Sequence, residues 1–421
     1  MSDPARLTAT QAARQIASGA LRPEALLEAC LARVALDEAR VHAFAFFDAG
    51  QPRAAVPAAG PLHGLPIGVK DVLDTSDMPS QYGSAIWDGH RPRADAACVA
   101  WARAAGAVVM GKTVTTEFAT RRPGATANPH NSAHTPGGSS SGSAAGVAAG
   151  FFPLAFGTQT AGSIIRPAAY CGVVGYKPSF GTIARLGMKV MSESLDTIGV
   201  MARSVADCAL FAGAVSGRDL GDPDSATEAR PRIGICPGPS GAEASPETMA
   251  LLERAAETLA ASGAIIVRRP LPDAYAALAS AQPLVMNAES AASMGWELTT
   301  RRSGLSDGLL EKLDWGLAQG PAALDAARGV MAQLQSHFDS VMEDVDVLLT
   351  PSAQGEAPHG LEWTGDPVFN APWTALHVPC VTIPVGLGPA GLPLGLQIVA
   401  ARGQDRAALA WAQWIASAMA G

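Results

Sequence analysis

A lysine, a run of serines and one further serine are the residues of this sequence whose types suit hydrolytic chemistry. Lys70 ends the apolar segment IGVK, four serines stand in GGSSSGSAAG (residues 137–146), and Ser163 ends GTQTAGS. A lysine at the end of a buried strand loses its proton readily, because desolvation disfavours the ammonium form. It can then act as a base toward a serine. Spacing alone leaves a second interpretation equally open, in which the glycines only form a strand-to-helix turn.

The segment TQTAGS, residues 158–163, adds a second element of such a site. Its consecutive small residues present backbone N–H groups, the donors from which an oxyanion hole is built. The segment is therefore a candidate for stabilising the charge that develops on a carbonyl oxygen under attack by a serine.

Three other patterns suggest different chemistry. GAVVMGKT (residues 106–113) satisfies the phosphate-loop pattern, but a predicted helix precedes it and its interior is strand material, so nucleotide binding is not expected. His130 and His134 have the spacing of two zinc ligands on a helix, which the neighbouring Pro129 and Pro136 oppose. A metal site is therefore not expected here either.

The third pattern is GSSSG, residues 138–142, which fits the nucleophile elbow of a Ser–His–Asp hydrolase with Ser140 at its centre. Asp346 and His377 follow in the required order, by count alone. This interpretation leaves the second serine-bearing loop, which ends at Ser163, without a role.

The elements that must position these residues are helices alternating with short apolar strands. Helical spacing over residues 23–44 gives one apolar stripe: Leu26, Leu27, Cys30, Leu31 and Val34. LPIGVKDVLDT predicts a buried strand running into a loop, and DAACVAWARAAGAVVMGKT predicts a helix, a stop at Gly106 and a strand over Ala107 to Met110. Further strands are predicted in RIGIC, in DVLLTPSA and around the turn in CVTIPVGLGPAGLPLGLQIVA. The pattern predicts an α/β protein with a sizeable mixed sheet.

Composition narrows the class of protein. The 421 residues are 48% hydrophobic and 16% charged, which is ample material for a large core. No stretch reaches the roughly 18 apolar residues of a membrane span, and the N-terminus lacks the pattern of a signal peptide, so we predict a cytoplasmic protein without membrane contact. A net charge of −8 argues against a nucleic-acid partner. The six scattered cysteines are expected to be reduced, buried thiols.

Three long motifs in this order resemble the amidase signature family. They are GLPIGVKDVLDT from Gly64, the unbroken stretch from Pro136 to Gly181, and VPCVTIPVG with GLPLGLQIVA near the C-terminus. The resemblance implies an amidase signature fold, a large mixed β-sheet flanked on both faces by helices. It implies one domain over residues 1–421, with the signature core at about 62–205 and a helical, substrate-facing region at about 215–340.

The resemblance also implies site residues and a mechanism that needs neither a cofactor nor a metal. The family's triad of lysine, bridging serine and nucleophilic serine falls on Lys70, Ser139 and Ser163, with a cis peptide bond before Ser139. The oxyanion-hole donors fall on Thr160, Ala161 and Gly162. Ser163 would attack an amide carbonyl and form an acyl-serine ester, which water then cleaves.

Two departures from the family's commonest pattern bear on substrate preference. Gln159 stands where many members have Asp, and Ala161 stands where many have Gly. Within the family the chain is most similar to the short malonamidase type, in which the arginine matching Arg166 holds the substrate's free carboxylate. A structural ion pair, or a cap on backbone carbonyls, is an equally weighted role for Arg166.

The expected activity is hydrolysis of a C–N bond in a small amide, and a carboxylate-bearing amide such as malonamate is one candidate substrate. An aryl amide or a carbamate (urethane) would be cleaved by the same triad. The less favoured alternative is the amidase subunit of a tRNA-dependent amidotransferase, which works with a partner. A catalytically inactive binding protein is not expected, since all three triad residues are present. The expected partner is a small-molecule amide, and homodimers occur among relatives.

Overall fold

Helices and strands alternate along the chain in a computed structural model that describes residues 3–225, 229–239 and 242–420. The strands in this part of the chain are β1 Phe44–Phe47, β2 Pro66–Lys70, β3 Val108–Thr113, β4 Leu154–Gln159, β5 Val174–Lys177, β6 Thr197–Ala202, β7 Arg232–Ile235, β8 Ile265–Arg268, β9 Val347–Pro351, β10 Cys380–Leu387 and β11 Pro393–Val399. The α-helices are α1 Ala9–Ala17, α2 Pro23–Val41, α3 Gly50–Ala54, α4 Ala97–Ala104, α5 Ser141–Ala149, α6 Ile165–Tyr170, α7 Val205–Ser216, α8 Pro246–Ala261, α9 Leu278–Ser293, α10 Gly295–Thr300, α11 Asp307–Met342, α12 Ala371–Ala375 and α13 Asp405–Met419.

All eleven strands of the described residues form one mixed sheet in the order β1-β3-β2-β4-β6-β5-β10-β11-β9-β7-β8. β2 pairs in parallel with both β3 and β4, and β7 pairs in parallel with β8 and β9, while the other neighbours are antiparallel. Helices flank the sheet, as predicted for an α/β protein with a large mixed sheet. The parallel pairing of β2 with β4 brings Lys70, at the end of β2, beside the end of β4.

Helix α5 packs unusually close to the sheet because its residues are small. A Cβ atom on Gly142 would lie 2.0 Å from Ala43 O and 2.4 Å from Val114 N, and one on Gly146 would lie 2.2 Å from the Phe152 ring. Glycine is therefore required at both positions. The Gly/Ser-rich stretch is a buried loop and helix start, and this close packing fixes where Ser139 lies.

Most predicted elements occur at the expected places. The apolar stripe near the N-terminus is the buried face of α2, and the strand predicted in LPIGVK is β2, buried over its whole length. The strand predicted over Ala107 to Met110 begins one residue later and continues to Thr113, since Lys112 and Thr113 are also buried in the sheet. The region 215–340, expected to be helical, also contributes β7 and β8.

The cysteines are buried and free of disulfides, as expected: Cys30, Cys98, Cys171, Cys208, Cys236 and Cys380. Within the described ranges no helix combines the length and apolar character needed to cross a bilayer. The cytoplasmic location stays a prediction.

Candidate active site

Lys70 and Ser139 meet inside the protein at the ends of β2 and of the loop before α5. Lys70 Nζ lies 2.8 Å from Ser139 Oγ, 2.7 Å from Thr158 Oγ1 and 3.4 Å from Thr158 O. Lys70 is fully buried, and burial lowers its pKa to about 7, with Asp196 opposing that shift. A neutral amine at this place can donate to Thr158 and turn its lone pair toward the Ser139 hydroxyl.

The peptide bond between Gly138 and Ser139 is cis, as the family resemblance implied. Gly137 has a φ of 80°, a left-handed conformation that favours glycine. Gly138 O accepts a 2.7 Å hydrogen bond from Arg166 Nη2, so the loop is tied to α6. These contacts hold the backbone from which the Ser139 side chain projects.

The remaining serines of the run bind backbone groups. Ser140 Oγ donates to Thr158 O at 3.3 Å and accepts from Thr158 N at 3.2 Å, and Ser141 Oγ donates to Gly137 O at 2.8 Å. Ser143 Oγ donates to Phe156 O at 2.7 Å. All three therefore serve the loop and the start of α5, consistent with a structural role.

Ser163 lies on the turn between β4 and α6, and its half-buried side chain lines a cavity of about 580 Å³. Within the described ranges its hydroxyl makes no hydrogen bond, so the contact between Ser163 and Ser139 that the implied triad needs is not seen and stays a prediction. Catalytic hydrogen bonds are often long before substrate binds. The site thus consists of a formed Lys70–Ser139 pair and a free hydroxyl facing the cavity.

Two anchored carbonyls orient the loop before Ser163. Thr160 O accepts a 2.9 Å hydrogen bond from Gln282 Nε2, and Ala161 O accepts a 2.7 Å hydrogen bond from Thr374 Oγ1. In a planar trans peptide the N–H points away from the C=O. The N–H groups of Ala161 and Gly162 therefore point away from these anchors, and no described acceptor takes a hydrogen bond from them.

Gln159, one of the two departures from the family pattern, links the same loop to its surroundings. Its Oε1 accepts from Ile164 N at 2.8 Å and Ile165 N at 3.1 Å, and its Nε2 donates to Thr374 Oγ1 at 3.0 Å. A carboxylate could accept from the two N–H groups but could not donate to Thr374. The amide therefore connects the start of α6 to the anchor of Ala161.

Asp196 approaches the site from the other side of the loop. It is buried, and Thr160 Oγ1 donates to its Oδ1 at 2.6 Å while the backbone N–H groups of Met191 and Ser192 donate to its Oδ2. Burial raises the pKa of Asp196 to about 6, which these hydrogen bonds partly offset. Asp196 therefore positions Thr160, and its negative charge acts on the pKa of Lys70.

Arg166 makes one of the contacts considered for it from the sequence, and its binding of a substrate carboxylate stays a prediction. Its Nη2 binds Gly138 O and, at 3.3 Å, Thr364 Oγ1, which is the carbonyl-capping role. Its Nε and Nη1 are buried and have no hydrogen-bond partner among the described residues. Arg166 also lines the cavity beside Ser163, so its positive charge acts on whatever the cavity binds.

The alternative sites considered from the sequence are not assembled. Lys112 of the phosphate-loop pattern lies in β3, buried and 2.9 Å from Asp71. His130 and His134 bind the backbone oxygens of Cys171 and Ala357.

His377 binds Ser194 O, and Asp346 accepts from Arg232 N, so neither contacts Ser140. Within the described part of the chain no cluster of three or more His, Cys, Asp or Glu side chains could hold a metal.

Three residues that anchor the loop stand in no recognisable sequence motif: Gln282, Thr374 and Asp196. The first two lie 122 and 213 residues from the carbonyls they bind. No local pattern marks such residues, because the contact depends on how distant segments pack.

The chain is similar in sequence and structure to several known proteins. A family model described as Amidase matches residues 25–409. A glutamyl-tRNA(Gln) amidotransferase subunit of Chloroflexus aggregans is 34% identical over 453 residues, covering 93% of this chain and 92% of that protein. A crystal structure of an amidase superimposes with a TM-score of 0.88 at 28% identity, covering 98% of this chain and 99% of that one. A 6-aminohexanoate cyclic dimer hydrolase complexed with substrate gives 0.87 at 26% identity, covering 99% and 98%.

Proposed function

The chain belongs to the amidase family, and on that premise we propose that it hydrolyses the C–N bond of a small amide through an acyl ester of Ser163. The observation that carries the proposal is the buried pair in which Lys70 Nζ lies 2.8 Å from Ser139 Oγ. A base with a lowered pKa can accept a proton at neutral pH, and the Ser139 hydroxyl beside it can pass a proton on. The position of Ser163 supports its assignment as the nucleophile, since it is the one serine among the described residues that line the cavity.

The proposed reaction begins with two proton transfers. Neutral Lys70 takes the hydroxyl proton of Ser139 as Ser139 takes that of Ser163, and Ser163 Oγ attacks the amide carbonyl. The N–H groups of Thr160, Ala161 and Gly162 face the oxygen on which negative charge develops. The C–N bond breaks, and the proton returns through Ser139 to the leaving nitrogen.

The second half of the reaction releases the acid. Water loses a proton to the same Lys70–Ser139 pair as it attacks the ester carbonyl. The ester C–O bond breaks, and Ser163 regains its proton. All groups used are side chains or N–H groups of this chain, so the proposed route consumes only amide and water.

We propose that the substrate carries a carboxylate close to the scissile carbonyl, as malonamate does. The support is Arg166, whose buried Nε and Nη1 are unpartnered among the described residues and which lines the same cavity as Ser163. Leaving buried guanidinium nitrogens unpaired is costly, and a carboxylate can accept a charge-assisted hydrogen bond from one of them. The likeness to the malonamidase type stays a prediction.

Two other substrate classes have observations in their favour. The cavity wall formed by Leu278, Met286 and Tyr275 is apolar and suits an aryl amide or a carbamate. The curated relatives at 32–34% identity are amidotransferase subunits, which favours glutamine hydrolysis with a partner. Glutamine carries an ammonium group, which the positive charge of Arg166 in the same cavity disfavours, so we rank it third.

A hydrolysis panel tests these proposals with the purified chain. It contains malonamate, propionamide, acetanilide, a phenyl carbamate and glutamine, each assayed with wild-type, Ser163→Ala and Arg166→Met proteins. We expect wild-type turnover of malonamate, none with Ser163→Ala, and a loss with Arg166→Met that is larger for malonamate than for propionamide. Equal losses on both substrates would assign Arg166 a purely structural role.

The predicted organisation of the chain stays part of the proposal. We take residues 1–421 as one domain, with the signature core at about 62–205 and a helical substrate face at about 215–340. The Gln282 contact to Thr160 O supports the second of these, since α9 reaches the site from that region. A homodimer remains a prediction.

A further inference from the structure

The cavity at Ser163 is lined by more positive than negative charge. Arg121, Arg166 and Lys312 contribute cations from three separate segments, and Asp366 is the one carboxylate among the described lining residues. Asp366 Oδ1 accepts a 2.9 Å hydrogen bond from Val368 N, so one carboxylate oxygen of Asp366 already has a hydrogen-bond donor within its own loop. A cavity with this balance attracts anions.

Lys312, on α11, has no hydrogen bond or ion pair with any described residue, although it is only partly exposed. Its pKa is lowered to about 8, mainly by burial and further by the positive charges of Arg121 and Arg166. Arg121 is exposed and is likewise free of described partners. Each of the two cations thus has donors available for a ligand.

Arg166 and Lys312 enter the cavity from different elements and are held in different ways. Arg166 is held deep in the protein by its contacts with Gly138 O and Thr364, whereas Lys312 reaches the cavity from α11 without a described hydrogen bond or ion pair. A single carboxylate bound at Arg166 balances the one positive charge of that residue. The charge of Lys312 and Arg121 then remains unbalanced.

We propose that Lys312 and Arg121 form a second anion subsite, so that the preferred substrates are amides with two carboxylates. One carboxylate binds Arg166, and the other binds Lys312 and Arg121. This inference rests on the proposed amidase function and specifies its substrate class. It also explains why a zwitterion such as glutamine suits the cavity less well, since its ammonium group would face three cations.

Turnover of a matched pair of amides tests the subsite. N-malonylglycine carries a carboxylate on each side of the amide, and N-ethylmalonamate lacks the second one. We expect wild-type protein to favour N-malonylglycine, and Lys312→Met and Arg121→Gln each to lower kcat/KM for it about tenfold. The same variants should leave N-ethylmalonamate within about twofold of wild type. Arg122→Gln is the control, since it changes an exposed arginine that does not line the cavity.

Ligand binding measured by calorimetry separates this inference from the proposed reaction. Glutarate and pentanoate have equal chain lengths and differ by one carboxylate. Glutarate should bind wild-type and Ser163→Ala proteins more tightly than pentanoate does, and Lys312→Met or Arg121→Gln should remove that difference. If glutarate shows this dependence while no amide is hydrolysed, the subsite stands and the proposed reaction fails.

The opposite combination of results refutes the subsite and leaves the amidase function standing. It is the case in which amides are hydrolysed but neither Lys312→Met nor Arg121→Gln changes the preference for the second carboxylate. Circular dichroism of each variant guards against misfolding. The exposed position of Arg121 keeps one arm of the test informative even if Lys312→Met fails to fold.

Discussion

Gln282 Nε2 donates a 2.9 Å hydrogen bond to Thr160 O, which joins helix α9 to the loop that carries Ser163. With Thr374 Oγ1 bound to Ala161 O, two consecutive peptide planes of that loop are held from behind. The orientation of the Ala161 and Gly162 N–H groups is thereby fixed, while both remain available to donate a hydrogen bond. Residues far from any recognised motif thus determine where the oxyanion donors of the proposed site point.

Removing the anchor on Thr160 should slow the chemistry more than it weakens binding. Gln282→Leu is expected to lower kcat about tenfold with a smaller change in KM, because a loosened donor stabilises the transition state less; losing a donor outright commonly costs about 10²–10³. Steady-state kinetics with malonamate measure both constants. Gln333→Leu, on the exposed side of α11, is the control; equal effects of the two substitutions would argue against the anchoring role.

The hydroxyl of Thr374 should be replaceable only by another hydroxyl. Thr374→Val keeps the shape but loses the hydrogen bonds to Ala161 O and Gln159, so we expect kcat to fall about tenfold. Thr374→Ser should restore most of the activity. Kinetics of the two variants side by side decide the point, and activity of Thr374→Val at the wild-type level would contradict it.

Activity should rise with pH through the titration of Lys70. Burial lowers its pKa from 10.5 to about 7, so the amine is protonated below pH 7 and cannot accept a proton from Ser139. We expect kcat/KM to increase with pH and reach half its plateau near pH 7, measured with a neutral amide such as acetanilide. Lys70→Arg stays charged at every pH and should lose about 10²–10⁴ in rate throughout. A flat profile for wild type would exclude Lys70 as the base.

The packing of α5 predicts a stability effect at Gly142. In Gly142→Ala the new Cβ would meet Ala43 O at 2.0 Å, and such overpacking typically costs about 1–3 kcal/mol or more in the free energy of unfolding. Gly329→Ala, at an exposed position of α11 with no atom within 4 Å, should instead stabilise by up to about 1 kcal/mol. Urea unfolding of both variants measures the difference, and equal stabilities would contradict the packing argument.

The sequence was informative wherever the chemistry depends on neighbouring residues. The strand before Lys70 and the apolar stripe of α2 were predicted, because each is fixed by local periodicity. The end of β3 was predicted too early. Lys112 and Thr113 are polar, and only the ion pair with Asp71 shows why a charged residue can continue a buried strand.

The contacts that anchor the site could not be predicted in this way. Gln282, Thr374 and Asp196 reach the loop through tertiary packing, and each has the appearance of an ordinary polar residue in its own segment. The two free nitrogens of Arg166 could not be foreseen either. They remain free because Gly138 O and Thr364 Oγ1 both accept hydrogen bonds from Nη2 and neither contacts Nε or Nη1.

Covalent labelling tests the central claim, that Ser163 is the nucleophile, most directly. The protein would be treated with a fluorophosphonate, which reacts with activated serines, and the modified peptide located by mass spectrometry. We predict one phosphonylated residue, Ser163, with labelling lost in Ser163→Ala and strongly slowed in Lys70→Ala. Labelling at Ser140 or Ser139 in the wild-type protein, or undiminished labelling of Ser163→Ala, would contradict the account.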